Sequence, residues 1–182
     1  RALPLLQLAA SENFQLANAA WLCATAAERL QQLAAAESCY RQIPPGPNYT
    51  GARRQLAQLL VKMQRPDEAL VVLDKALDEV KKPGEQAYLI QAHLELQLKA
   101  GALKAASDYL AKQSEALRRE PLLQMMAIVL REPAKPEAQA EAMLALAKTA
   151  ETEELRRQWA LTGANLLQQQ KQQAAAYQLI DG

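Results

Sequence analysis

A single histidine stands in the 182 residues, with two cysteines and six glycines. Each shortage excludes a class of chemistry. One histidine without a paired cysteine nearby cannot build the commoner zinc sites or a nucleophile–base triad. His93 lies on a stretch rich in alanine and leucine and reads as a packing or surface residue. There is no glycine-rich phosphate loop; Pro44-Pro45-Gly46-Pro47 reads as a rigid turn. No apolar run approaches the roughly 18 residues of a membrane span. Neither sign of charge dominates. The net charge is +1, with acidic and basic residues interspersed, which argues against a nucleic-acid footprint or a polybasic membrane surface. Runs of β-branched residues are nearly absent, whereas alanine, leucine and glutamine abound and favour helix. An all-α chain is expected.

Cys23 and Cys39 are 16 apart, without a C-x-x-C or a neighbouring histidine, so zinc and thioredoxin-like readings fail. Two buried thiols acting as small hydrophobes are expected. The alternative is a disulfide. Both residues lie at a similar distance from a turn near Gln31 and would sit level across a helical hairpin, and a bridge would imply an oxidising compartment. Asn48-Tyr49-Thr50 fits a glycosylation sequon, a triplet frequent by chance and supported here by no signal peptide. The acidic pairs Asp78-Glu79 and Glu153-Glu154 read as solvated helix faces, and the polar run Gln168–Gln173 as a solubilising turn. The chain opens on Arg1 with no basic-then-apolar leader, as expected of an excised piece.

What is present is a repeat. In DEALVVLDKAL, Ala69, Leu73 and Ala76 place a small residue, a large apolar one four later, and a small one three after that. The same template recurs around Ala2, Ala36, Ala106, Ala140 and Ala175, at spacings of 34, 33, 37, 34 and 35. A period near 34 holds two helices and two short turns. Upstream of Ala69, Leu56, Ala57 and Leu60 form one apolar stripe; upstream of Ala175, Trp159, Gly163 and Leu166 do the same. Small residues at these places imply that a second helix comes very close. Turns are marked by Gln64-Arg65-Pro66, by Ala100-Gly101, and by Pro83, Pro121, Pro133 and Pro136.

These positions resemble the tetratricopeptide repeat, a helix–turn–helix unit of 34 residues. Leu56-Ala57-Leu60-Ala69-Leu73-Ala76-Pro83 and Trp159-Gly163-Leu166-Ala175-Leu179 carry the likeness. It runs over nearly the whole chain, as units 13–45, 51–83, 86–120, 122–149 and 156–181, with 1–11 as the second helix of a preceding unit. The 122–149 unit departs from the pattern: its first helix, PLLQMMAIVLREP, is short and proline-bounded, and the unit is read as degenerate. The resemblance implies a single right-handed α-solenoid over 1–182, in which each unit touches only its neighbours. The chain is then a fragment of a longer array.

In that family the first helices line a concave groove that holds an extended peptide or a partner helix. The resemblance puts Asn18, Trp21 and Thr25 there, followed by Arg54, Gln58 and Lys62, then Gln91 and Glu95, and then Met125 and Val129. Trp21 is the expected hot spot; the competing reading packs it in the core. The Lys and Asn with which some members clamp a terminal carboxylate are replaced here by Trp21, Thr25, Arg54 and Gln58, so that specificity is not carried over. The expected function is a non-catalytic protein–protein scaffold or adaptor with no metal or cofactor. Bacterial members often serve envelope assembly, secretion or polysaccharide export, which favours the periplasm over the cytoplasm. The alternatives are a structural spacer or self-association module, or the recruiting part of a larger enzyme.

Overall fold

A computed structural model describes residues 16–131, 135–150 and 152–169. Among them are ten helices and no strand, so the all-α expectation holds. Expectations placed on 1–11, Ala175 and Leu179 lie outside the described residues. The chain divides into two compact units, 1–102 and 103–182.

The first unit contains α1 (Leu16–Arg29), α2 (Leu33–Arg41), α3 (Tyr49–Lys62), α4 (Pro66–Glu79) and α5 (Pro83–Lys99). Proline starts two of them rather than merely separating units. Pro66 and Pro83 occupy the first helical position, where a missing N–H costs nothing and φ is already suitable. Asp67, Glu68 and Glu85 follow in the first turns, where negative charge meets the positive helix end.

Helices α1, α3 and α5 end in the same way. Gln31, Gln64 and Gly101 take left-handed φ values of 57°, 62° and 74°. One residue on, the backbone N–H groups of Gln32, Arg65 and Ala102 donate to the carbonyls of Ala27, Leu60 and Gln97, five residues back, each at 2.9 Å. This is the Schellman termination, which satisfies carbonyls the helix itself leaves over. Only Gly101 carries the residue type that favours it; the two glutamines adopt it against the usual steric cost.

Each helix of this unit packs on the next, and α3 also packs on α5. The shared core runs from Ala20 through Tyr40, Leu56, Leu60 and Leu73 to Leu89 and Ala92. Ala57, Ala69 and Ala76 are buried within it, small residues where helices approach closely. His93 is 4% exposed on α5, with Nε2 3.5 Å from Asp74 Oδ1. Burial lowers its pKa, against the opposing pull of Asp74 and a hydrogen bond with Gln97.

Cys23 on α1 and Cys39 on α2 are both buried, and their sulfurs are bonded. The expected free thiols are therefore corrected to a disulfide. The Cα atoms are 5.9 Å apart, inside the range a bridge requires. The physical reason is the tight turn at Gln31, which sets the two cysteines level.

The second unit contains α6 (Leu103–Ala111), the single-turn α7 (Glu115–Arg118), α8 (Pro121–Arg131), α9 (Pro136–Thr149) and α10 (Glu153–Gln169). Ser114 caps α7 by accepting from the Leu117 N–H. Helices α9 and α10 pack closely at Gly163. A Cβ at Gly163 would sit 3.1 Å from Leu144 Cγ and 3.2 Å from the Ala140 carbonyl oxygen. Gly163→Val is therefore expected to force the two helices apart and to lower stability by about 1–3 kcal/mol in denaturant titrations. Gly84→Ala is the control, since a Cβ there meets nothing within 4 Å; an equal effect of the two would refute the close crossing.

Candidate partner-binding strip

Helices α1, α3 and α5 carry the eight expected groove residues of the first unit. None is fully buried: Asn18 and Lys62 are exposed, and Trp21, Thr25, Arg54, Gln58, Gln91 and Glu95 are half-buried. Met125 and Val129 lie on α8, in the second unit, and are also half-buried.

Trp21 falls between its two readings. Its ring packs against the unit's core and meets Tyr40 edge-on, with centroids 5.8 Å apart. The ring lies over Gly51, where a Cβ would be 3.5 Å away, in ordinary contact. On its accessible side, Trp21, Leu22, Asn18 and Asn48 line an open cavity of about 420 Å³. Leu22 is 56% exposed beside it. Asn48 Nδ2 donates to Asn18 Oδ1 at 3.1 Å, which ties the start of α3 to α1. The Thr25 hydroxyl donates to the Trp21 and Leu22 carbonyls at 3.1 Å each, so its polarity is turned to its own helix.

Further along the strip the expected residues engage one another. Arg54 Nη2 is 2.8 Å from Glu95 Oε2, and its guanidinium lies 4.7 Å from the centre of the Tyr88 ring. Arg54, Gln58 and Glu95 leave between them a cavity of only about 10 Å³. Lys62 Nζ approaches Glu28 Oε2 at 3.4 Å, while Glu28 Oε1 accepts from the Tyr40 hydroxyl at 2.7 Å. Burial, reinforced by the Glu28 carboxylate, pushes the Tyr40 hydroxyl well above its usual range, so Tyr40 remains a donor. The strip thus offers an aromatic pocket at one end and paired charges beyond it.

Away from the strip, Arg41 and Arg65 both reach Glu37 and Glu68, joining α2 to the start of α4. Burial would raise the Glu37 carboxyl, but hydrogen bonds from Arg65 and Arg41 outweigh it and hold the pKa below its usual value. Sequence reasoning missed Tyr88, Glu28 and this network, whose partners are far apart along the chain and follow no motif.

Among the described residues no cluster of three or more histidine, cysteine or acidic side chains could hold a metal ion, and no helix is long and apolar enough to cross a membrane. No protein-family model matches the chain, and a search of curated proteins finds no match.

Proposed function

We propose that the chain is an array of tetratricopeptide-like repeats, stacked as a right-handed α-solenoid, that holds an extended peptide or partner helix along the strip formed by α1, α3 and α5, without catalysis. The observation that carries this reading is the Trp21 pocket, a partly seated aromatic ring at the head of a row of accessible polar side chains. Half-buried tryptophan and arginine are the residue types that dominate interface energetics. The repeated termination at Gln31, Gln64 and Gly101 supports the array. The disulfide supports an oxidising compartment such as the bacterial periplasm, where envelope assembly, secretion or polysaccharide export would supply the partner.

The test places a photo-crosslinking residue at Gln58 on the strip and, in a second protein, at the exposed Lys75 on α4. Adducts are expected from Gln58 and not from Lys75. Trp21→Ala with Arg54→Glu is expected to weaken capture at least about 30-fold, the loss typical of a hot spot. Because Arg54→Glu leaves two acids facing each other, Arg54→Glu with Glu95→Arg provides a matched variant that keeps an ion pair. Adducts formed equally from Lys75 would sink the strip. Light scattering that shows mass rising with concentration would favour the self-association alternative.

A further inference from the structure

We propose that the second unit carries a docking groove for an acidic peptide segment of a protein partner, separate from the strip on the first. The groove lies between α6, α7 and α8 and encloses about 290 Å³. Leu110, Ala111 and Leu130 give it an aliphatic floor, and Ala111 is exposed within it.

Its charge is of one sign. Arg118, in the last turn of α7, and Arg131, in the last turn of α8, both line the groove and are exposed. Among the described residues neither guanidinium takes part in an ion pair or hydrogen bond, and none of those lining the groove is acidic. Nearby Glu115 is taken by Arg119 at 2.5 Å. The half-buried Ser107 hydroxyl on α6, also in the lining, makes no hydrogen bond among the described residues. The negative helix end accounts for a cation in each last turn taken singly. It does not account for two like charges lining one aliphatic groove without a counter-ion. Guanidinium forks match carboxylates, and an acidic ligand would relieve their mutual repulsion. Size and openness select the occupant. Sites that enclose a small molecule run to about 300–1,000 Å³ and bury most of it; this groove is smaller and open to solvent. A peptide lying across it would seat one apolar side chain on the floor and set flanking acidic residues against Arg118 and Arg131. That arrangement reads charge and apolarity together, which is how complementary interfaces gain specificity.

The test uses the full chain with carbon-13-labelled alanine and leucine methyl groups and follows Leu110, Ala111 and Leu130 by nuclear magnetic resonance. The probes are the acetylated peptide amide EELLEE, its neutral counterpart QQLLQQ, its counterpart EEAAEE without the apolar pair, and sodium phosphate. EELLEE is expected to move these signals and to saturate, with QQLLQQ and EEAAEE each at least about tenfold weaker. Arg118→Glu with Arg131→Glu, on two exposed side chains, is expected to lose EELLEE and to take up KKLLKK instead. Stationary methyl signals would overturn the proposal. So would QQLLQQ or EEAAEE binding as well as EELLEE, phosphate alone reproducing the shifts, or the double variant still holding EELLEE.

Discussion

Reducing the Cys23–Cys39 bond is expected to cost the first unit about 3 kcal/mol. The cysteines are separated by 16 positions, and closing a loop of that size removes conformational entropy from the unfolded chain worth about this much at 25 °C. Both sulfurs are buried, so reductant reaches them mainly when α1 and α2 come apart. The measurement is a denaturant titration read by helicity, with and without reductant, on the wild type and on Cys23→Ala/Cys39→Ala. The wild-type midpoint should fall on reduction and that of the variant should not respond. An unmoved wild-type midpoint would mean that packing alone holds the hairpin.

Leu60→Ala is expected to be comparably damaging, at about 2–5 kcal/mol, the range for truncating a fully buried leucine. The side chain lies on α3 in the core of the first unit. The cavity cannot easily collapse, because the Leu60 carbonyl is itself anchored by the Arg65 N–H at the helix end. Against a total stability of about 5–15 kcal/mol for a typical domain, this is a large fraction. Leu22→Ala offers the contrast: at 56% exposure it should change stability by no more than about 0.5 kcal/mol. Similar losses at the two positions would contradict the assignment of Leu60 to the core.

The helical class was legible because composition and the 3.6-residue period agree over long stretches, whereas Pro66 and Pro83, read as turn markers, open helices instead. Ala57 and Ala69 could be read as crossing points from their smallness alone, and both are buried. His93 could be read as a packing residue because nothing in the sequence offered it a second ligand, and it is buried on α5. Other features could not be read. The disulfide depends on two Cα atoms coming within 5.9 Å, a distance that spacing suggests but does not determine. The Arg54–Glu95 pair joins residues 41 apart, beyond any local pattern, and it turns two expected partner contacts toward each other. Gln31 and Gln64 occupy left-handed positions that glycine or asparagine would have announced. The indole of Trp159 matched a repeat position by size, but that its N–H meets no acceptor among the described residues appears only once its neighbours are in place.

The packing of each helix of the first unit on its successor has a kinetic consequence. Most contacts are made between segments close together along the chain, so little loop entropy must be spent before burial is rewarded. A hairpin of any two successive helices is closed by a short loop, so several starting points compete. The bridge between α1 and α2 then biases that choice, making the oxidised hairpin the favoured starting point and the last part to open. Oxidation would set not only how stable the unit is but the direction in which it assembles.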